Sequence, residues 1–392
     1  MSDSFNKKNR TIFYFNYTKF MKKNKKYKRI KIILLSFLIS FDFFVKFIKS
    51  NFFIKTSLNK KRVGVINLPD SRNIGNMMVK FAMFTKLEEL GVNATLISPI
   101  DKVDELEVDS SFLNKNVKCH LLYVNHNFSE INENDFDYLM VNSDQTWNFY
   151  NYKFFYNVAL LKFAENWTVN KFIYAASMAK YEWYYNKSDN QLFKKLLKNF
   201  TGISFREKET VKILEDNIGL KSIFVLDPTF LIDRHYFLDQ IKHYKSNFHS
   251  KKKFIFVYQL DKNPILTKTL LKASEKFKFK INPLILNQRN YVNNFIYGIN
   301  NSQAVITDSF HGTVFSIIFN KPFISFSNDL RGKARFDSLK EVFNLKNRII
   351  ESSNYSNINI NLLIEPLNIN KTLLNELKIF SIKYLKKNLG LD

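Results

Sequence analysis

Short apolar runs alternate with longer amphipathic segments from Val63 to the end of the chain. Runs such as Tyr138–Val141 and Phe323–Phe326 are brief and continuously apolar, which is typical of buried parallel strands. Segments such as Ile265–Phe277 carry apolar residues every three or four positions, which predicts helices with one buried face. This alternation predicts an α/β fold built from doubly wound, Rossmann-like sheets.

The alternation is interrupted once, where Asp227-Pro228-Thr229 leads into the polar, charged residues 231–252. Two Rossmann-like domains are therefore predicted, and 392 residues are enough for both. The predicted organisation is a basic extension (1–60), a first domain (61–230), a second domain (231–350) and a C-terminal helical segment (351–392). The final helix, Ile369–Asn388, is expected to pack across the two domains.

The N-terminal extension holds 15 Lys and Arg against 2 Asp and Glu, which is about half of the net charge of +25. Within it, Ile30–Ile48 is apolar except for a narrow polar stripe that includes Asp42 and Lys46. Burying these two charges in a bilayer costs roughly 2.5–3.5 kcal/mol each. We expect an amphipathic helix that binds an anionic membrane peripherally through residues 20–55, on the cytoplasmic face. A helix packed on its own domain is the alternative.

The rest of the composition excludes several classes of protein. The remaining positive charge is spread thinly, without zinc-finger spacing or an RNP-like aromatic motif, so no nucleic-acid partner is expected. A single cysteine, Cys119, excludes an internal disulfide framework and fits a reducing cytoplasm. No Cys/His cluster has the spacing of metal ligands, so no metal is expected.

The segment Thr307–Pro322 changes from the period of a strand to that of a helix, and places a histidine at the change. Asp308 and Ser309 can cap the helix, and Gly312 lets the backbone approach a ligand closely. His311 would then lie at the N-terminus of the helix, where anions are favoured. A capping or core histidine is the alternative interpretation.

Two loops that follow predicted strands of the first domain carry polar side chains suited to a sugar. The turn Asn73-Ile74-Gly75-Asn76 begins the first helix, although it could be a plain helix start. Asn142–Asn148 follows Tyr138–Val141 and contains Ser143, Asp144, Gln145 and Trp147. Amides and a carboxylate bind hydroxyl groups, and an indole stacks on a pyranose face; an Asx turn with a packed Trp is the alternative.

Other strand ends supply a hydroxyl group and cations. Ser177 ends the strand Phe172–Ser177, and Arg206 follows the short strand Gly202–Phe205. A guanidinium group binds carboxylate or phosphate bidentately, although Arg206 could instead pair with a neighbouring glutamate at the surface. In the second domain, Arg331 and Arg335 lie in the loop after Phe326.

Five segments in this order resemble the signatures of the polysaccharide pyruvyl transferase family: NIGN (73–76), NSDQTWN (142–148), YAAS (174–177) with ISFREKE (203–209), VLDPTFLID (225–233) and ITDSFHGTVFSIIFNKPFI (306–324). The resemblance implies a GT-B-like arrangement, with an acceptor domain and a donor domain facing across a cleft. It also implies transfer of a pyruvyl group from phosphoenolpyruvate to two hydroxyls of one sugar, with release of phosphate. The acceptor would belong to a bacterial surface polysaccharide or its precursor, either free or lipid-linked.

The resemblance also implies roles for the residues above. His311 would be the acid or the phosphate ligand, Asp144 would act on the acceptor side, and Arg206 with Arg331 or Arg335 would hold the anionic donor. The turn at Asn73, Gly75 and Asn76 would lie in the cleft, and no cofactor, metal or nucleotide would be needed beyond phosphoenolpyruvate as donor substrate.

One position departs from the family pattern. Characterised members have an arginine two residues before this histidine, where the present chain has Ser309. Either Arg331 or Arg335 replaces that cation, or the donor is not phosphoenolpyruvate. The alternative functions are a GT-B glycosyltransferase that uses a nucleotide sugar, and a non-catalytic carbohydrate-binding protein of a capsule assembly system.

Overall fold

The computed structural model describes residues 60–68, 73–99, 120–125, 127–148, 155–244, 252–286, 290–351 and 358–392. Asn59–Asp392 form one compact unit. The predicted amphipathic helix at Ile30–Ile48 and the proposed membrane-binding residues 20–55 lie outside the described residues. Among the helices that are described, none is both long and apolar enough to cross a bilayer.

The first half of the described chain, residues 60–244, contains a six-stranded parallel sheet. Its strands are β1 (Arg62–Ile66), β2 (Asn93–Pro99), β3 (His120–Val124), β4 (Tyr138–Val141), β5 (Asn170–Ile173) and β6 (Phe200–Gly202), in the spatial order β3-β2-β1-β4-β5-β6. Two short parallel strands, β7 (Ser204–Phe205) and β8 (Ile223–Phe224), pair with each other. Isolated bridges from Ala176 to Asp144 and Phe205 extend the pairing towards the carboxyl edge.

Helices connect these strands. They are α1 (Ile74–Glu89), α2 (Phe155–Leu160), α3 (Lys187–Leu197), α4 (Lys208–Ile218) and α5 (Arg234–Asp239). Helix α1 begins at an asparagine cap, and its residues Ile74 to Phe84 are buried, because it packs between the first sheet and the second half of the chain. This contact between the halves places the start of α1 next to the residues described below.

The second half, residues 252–351, repeats the pattern with a five-stranded parallel sheet. Its elements are β9 (Phe254–Tyr258), α6 (Pro264–Phe277), β10 (Lys280–Pro283), α7 (Tyr291–Asn301), β11 (Ala304–Thr307), α8 (Phe310–Ile318), β12 (Phe323–Phe326), α9 (Lys333–Phe343) and β13 (Ile349–Ile350). The spatial order is β10-β9-β11-β12-β13. The continuous apolar runs of β9, β11 and β12 are fully buried, as expected for strands covered on both faces.

The last helix, α10 (Lys371–Asn388), returns to the first half. The hydroxyl of Tyr384 donates to the carbonyl of Ile173 at 2.8 Å, and Thr201 donates to Asn388 at 2.9 Å. The backbone N–H of Leu226 donates to the hydroxyl of Ser381 at 2.9 Å. These bonds fasten α10 to the first half of the chain. The domain limits predicted from the sequence stay predictions, although the two sheets occupy residues 62–202 and 254–350.

Candidate functional site

Each large sheet has one topological switch point, where the chain leaves two adjacent strands towards opposite edges of the sheet. In the first sheet it lies between β1 and β4, and in the second between β9 and β11. Ligands of open α/β sheets bind at the carboxyl ends of the strands at such a point. The turn at Asn73–Asn76, the loop 142–148 and the start of α8 all follow these strands, so most residues nominated from the sequence lie at the two switch points.

His311 lies in the first turn of α8. The N-cap of this helix is Ser309, whose hydroxyl accepts a hydrogen bond from the N–H of Gly312 at 3.3 Å. Gly312 is required here, because a Cβ would lie 2.3 Å from the Thr307 hydroxyl oxygen. The imidazole of His311 is 5% exposed, and its Nε2 lies 3.6 Å from Oδ2 of Asp227 in the first half. His311 therefore faces the other half of the chain.

The prediction that Asp308 helps to cap α8 is wrong. Its carboxylate accepts hydrogen bonds from the backbone N–H groups of Leu260 at 2.7 Å and Asp261 at 3.0 Å. Burial raises the pKa of this carboxyl group. Asp308 thus ties the loop after β9 to the loop after β11, while Ser309 provides the side-chain cap.

A buried ion cluster lies opposite His311. Nη1 of Arg206 lies 2.5 Å from Oδ2 of Asp227, and Nη2 lies 3.0 Å from Oδ1 of Asp144. The three side chains are 1%, 2% and 8% exposed. The alternative in which Arg206 pairs at the surface is therefore excluded. Oδ1 of Asp227 also accepts from the N–H and hydroxyl of Thr229, at 3.0 and 2.6 Å, which fixes the carboxylate towards Arg206 and His311.

The two aspartates of this cluster stay ionised despite their burial. Burial alone raises the pKa of each carboxyl group. At Asp227 the neighbouring His311 and Arg206 outweigh burial and lower the pKa far below its ordinary value. At Asp144 the charge of Arg206, followed by His311, has the same effect. Both carboxylates are therefore weak bases at neutral pH, although both remain good hydrogen-bond acceptors.

Glu207 is a third buried carboxyl group, directly after Arg206. The hydroxyl of Ser177 donates to it, as do the N–H of Met178 at 3.3 Å and the hydroxyl of Thr210 at 3.1 Å. Burial outweighs the charge of Arg206 and raises the pKa of Glu207. Ser177, nominated as a substrate ligand, thus uses its hydroxyl proton to hold Glu207.

Two guanidinium groups lie over one aromatic ring, that of Phe310, beside His311. The guanidinium carbons of Arg206 and Arg335 lie 4.8 and 5.1 Å from the ring centroid of Phe310. Arg335 is 6% exposed, and burial together with the charge of Arg206 lowers its pKa to about 10. It is therefore still protonated at neutral pH. Two guanidinium groups at one ring, next to the N-terminus of α8, suit an anionic ligand.

Arg331 lies in a different environment. Its Nε and Nη2 atoms contact the carboxylate of Asp261 at 2.6 and 2.9 Å, and both side chains are more than a third exposed. Asn328 donates to the same carboxylate at 2.6 Å. Of the two arginines predicted to compensate for Ser309, Arg335 lies in the cluster and Arg331 is paired outside it.

The first turn of α1 belongs to the site. Oδ1 of Asn73 caps the helix by accepting from the N–H groups of Gly75 at 2.8 Å and Asn76 at 3.4 Å. The side chain of Asn76 donates to Oδ2 of Asp144 at 3.3 Å. Gly75 lies against His311, since a Cβ at this position would be 2.0 Å from the imidazole Nδ1. This turn is a helix start and also a wall of the site.

The loop 142–148 contributes less to the site than predicted. The indole of Trp147 is fully buried, with edge contacts to the rings of Phe193 and Phe205 at 5.9 and 5.1 Å. The prediction that Trp147 stacks on a sugar therefore needs correction, because the ring is enclosed by side chains of its own half of the chain. The packed-tryptophan alternative describes the structure.

The neighbouring polar residues of this loop make other contacts. Ser143 donates to the carbonyl of Ala175 at 2.7 Å and joins the ends of β4 and β5. Gln145 donates to the carbonyl of Arg331 at 3.4 Å and so contacts the second half of the chain. Asp144 itself has a positive φ of 90°, which costs a non-glycine residue free energy and places its carboxylate in the cluster.

Asp227 and Phe310 were not nominated from the sequence. In the sequence Asp227 marks the break between the predicted domains, and its place immediately after a strand is the available signal of a functional carboxylate. Phe310 carried no such signal, because an apolar residue beside a histidine usually belongs to the core. In the residues that the structure describes, no group of three or more His, Cys, Asp or Glu side chains could hold a metal ion.

Two doubly wound halves with a charged cluster between their switch points define an α/β enzyme of the GT-B fold. The sequence profile of the polysaccharide pyruvyl transferase family matches residues 73–329, and the chain belongs to this family. It is accordingly a transferase. The family modifies polysaccharides, which supports a carbohydrate acceptor. No curated protein sequence matches the chain significantly.

A solved structure supports the fold. The UDP-GlcNAc 2-epimerase of Neisseria meningitidis, solved with UDP-GlcNAc bound, is similar at 11% identity and a TM-score of 0.53, covering 83% of this chain and 100% of that one. Arabidopsis thaliana UGT89C1 complexed with UDP-L-rhamnose has 10% identity and a TM-score of 0.49, over 85% and 98% of the two chains. At sequence identities this low, a structural similarity is evidence for the fold alone and not for a common function.

Proposed function

We propose that the protein transfers a pyruvyl group from phosphoenolpyruvate to two hydroxyls of one sugar, forming a cyclic ketal and releasing phosphate. The observation that carries the proposal is that Arg206 and Arg335 both lie over the ring of Phe310, next to His311 at the start of α8. A donor with a carboxylate and a phosphate needs two cationic groups and a helix N-terminus, and these three features meet here.

The reaction requires a proton for the methylene carbon of the donor and bonds from two sugar oxygens to its central carbon. His311 gives a proton to the methylene carbon, while Arg206 and Arg335 hold the carboxylate and phosphate. The first hydroxyl attacks the central carbon and loses its proton to His311, which is restored. The second hydroxyl then displaces phosphate, which leaves with the second proton.

Asp144 has a specific part in this scheme. Its lowered pKa makes it a poor base, so it accepts a hydrogen bond from the attacking hydroxyl and orients it instead of removing the proton. Asp227 contacts both Arg206 and the Nε2 side of His311. It therefore holds the proposed acid and the cation in fixed positions relative to each other. No metal or nucleotide enters any step.

The test compares Arg335→Met with Arg331→Met. If Arg335 supplies the cation missing at Ser309, its variant raises the KM for phosphoenolpyruvate at least tenfold, which corresponds to about 1.4 kcal/mol. The Arg331 variant is the matched control and changes this KM less than threefold, because its guanidinium lies outside the buried cluster, beside Asp261. Equal effects of the two variants would contradict the assignment.

Two arms of the same experiment address the alternatives. Thermal shifts with phosphoenolpyruvate and with UDP-sugars are compared, since stabilisation by UDP-sugars alone supports a nucleotide-sugar glycosyltransferase. His311→Ala is then assayed for phosphate release and for sugar binding. If the wild type shows no turnover and the His311→Ala variant still binds sugar, the result supports a carbohydrate-binding role.

We also infer that residues 20–55 hold the enzyme on the anionic inner face of the membrane, close to a lipid-linked acceptor. The support is the sequence alone, through its basic cluster and amphipathic pattern. Fractionation of cells that express the full chain and a variant lacking residues 1–55 tests this inference. Equal membrane association of the two proteins would contradict it.

A further inference from the structure

Three polar side chains form a row across the carboxyl edge of the first sheet. Ile66 of β1 pairs with Ile97 of β2 and with Val141 of β4. The next residue is Asn67 after β1, Ser98 in β2 and Asn142 after β4. The ladder continues to them, because Asn67 N donates to Ile97 O at 3.3 Å and Asn142 N donates to Ile66 O at 2.9 Å. Register partners in parallel strands project from the same face of a sheet.

This row is buried, and its polar side-chain atoms have no hydrogen-bond partner among the residues that the structure describes. Asn67 and Asn142 are 0% exposed and Ser98 is 1% exposed. Both amide atoms of each asparagine, and the hydroxyl of Ser98, lack a partner in the described part of the chain. Buried polar groups are almost always bonded, because leaving them unpaired costs free energy. Five such atoms in one row therefore point to a polar ligand.

The position of the row connects it to the reaction. It lies on the face of the sheet covered by α1, because Val65 and Met140, two residues before Asn67 and Asn142, pack in one cluster with Met77 and Phe81. It also lies at the switch point between β1 and β4. Asn142 is two residues before Asp144, which Asn76 of α1 contacts. The row thus adjoins the acceptor side of the ion cluster.

The chemistry of the row selects a class of ligand. Each carboxamide offers an N–H₂ donor and a carbonyl acceptor, and the hydroxyl of Ser98 offers both. An anion needs only donors and a metal ion needs only acceptors. A hydroxyl group both donates and accepts, so two adjacent carboxamides match two hydroxyls of one sugar ring.

We propose that Asn67 and Asn142, with Ser98, bind the two hydroxyls of the acceptor sugar that become the ketal oxygens. This inference rests on the proposed pyruvyl transfer, which needs two hydroxyls of a single sugar. The row is as closed to solvent as Arg206 and His311, so one separation of the two halves admits both substrates.

The experiment uses Asn67→Leu and Asn142→Leu in the full chain. Leucine has a similar volume and no polar atoms, so replacing an unpaired buried amide leaves the Tm unchanged or raises it. The KM for the acceptor glycan is expected to rise at least tenfold, while the KM for phosphoenolpyruvate stays within twofold. Binding of methyl glycosides of glucose, galactose, mannose and N-acetylglucosamine, followed by thermal shift, is lost in parallel.

Asn294→Leu is the matched control. Asn294 is 3% exposed in α7, and its Oδ1 accepts a hydrogen bond from the hydroxyl of Tyr244 at 2.7 Å. Its replacement breaks a bond that the protein itself makes, so the Tm falls while both KM values stay unchanged. If either leucine variant is insoluble, Asn67→Ser and Asn142→Ser give the same kinetic readout with smaller side chains.

Three outcomes would overturn the inference. One is an unchanged acceptor KM in the leucine variants, and another is a loss of Tm as large as that of Asn294→Leu, which would show amides bonded through structural water. The third is a wild type that none of the four glycosides stabilises. Absence of phosphoenolpyruvate turnover in the wild type counts against the proposed reaction instead, and glycoside binding that disappears in the leucine variants would still support the sugar site.

Discussion

Gly75 and His311 touch across the boundary between the two halves of the chain. A Cβ built on Gly75 would lie 2.0 Å from Nδ1 and 2.6 Å from Cε1 of the imidazole. Separations this short are repulsive, and the contact is with a ring that cannot bend. Helix α1, whose N-cap is Asn73, therefore fixes the position of His311, the proposed acid, in the other half.

Gly75→Ala is expected to reduce turnover by at least an order of magnitude. Alanine suits a helix better than glycine by roughly 1 kcal/mol, so the fold is retained, but the methyl group displaces the ring. The measurement is kcat in the single variant, in His311→Ala and in the double variant. If the glycine acts through the histidine, the double variant is no slower than His311→Ala. Additive losses would contradict this mechanism.

Arg206→Met is expected to destabilise the protein strongly at neutral pH. The replacement leaves Asp144 and Asp227 buried without their guanidinium partner, and removing one member of a buried pair costs about 3–5 kcal/mol. Urea unfolding measures the change. Arg62→Met is the control, because the Arg62–Asp137 pair has side chains 31% and 40% exposed and is worth only about 0–1 kcal/mol. A similar loss in both variants would show that the cluster is not an energetic unit.

The effect of pH on stability follows from the lowered pKa of Asp227. A carboxyl group whose pKa is lower in the folded state stabilises the fold at any pH above its pKa in the unfolded chain, which is about 3.9. This stabilisation is lost as the pH falls below that value towards the pKa of the folded state. Asp227→Asn therefore lowers the free energy of unfolding at pH 7, and its difference from the wild type shrinks below about pH 4.

Urea unfolding of both proteins between neutral and strongly acidic pH measures that difference. Glu207 acts in the opposite direction, since burial raises its pKa, but it is present in both proteins and cancels in the comparison. Asp261→Asn is the control, because its carboxylate is 38% exposed beside Arg331 and solvent screens the pair. A difference that grows as pH falls would contradict the assigned direction.

The sequence predicts some elements of this fold and misses others. The strand Phe323–Phe326 was predicted to the residue, because a short apolar run bounded by Pro322 and a polar loop has a single interpretation. Strand β3 was not predicted, since it is a short strand at the edge of the sheet and its pairing with β2 is a non-local contact. The start of α8 was predicted, but the partner of Asp308 was not.

The candidate site shows the same limit. His311, Arg206 and Asp144 were nominated because each follows a strand, and that rule is local. The approach of Asp227 to His311 joins residues from different halves, so no spacing along the chain predicts it. The burial of Trp147 depends on Phe193 and Phe205 in the same way. Local signals predicted the members of the cluster, whereas tertiary packing determined their partners.

Helix α10 fastens the segment after β8 that carries Asp227. The N–H of Leu226, the residue before Asp227, donates to the buried hydroxyl of Ser381. Ser381→Ala leaves this N–H unpaired in the interior and is expected to cost about 1–3 kcal/mol in urea unfolding. Because the loss falls beside Asp227, kcat should decline as well. Ser274→Ala removes a hydroxyl that donates to the carbonyl of Phe279 at a partly buried position, away from Asp227, and should alter neither quantity by as much. A stability loss without any change in kcat would show that α10 supports the sheet and not the site.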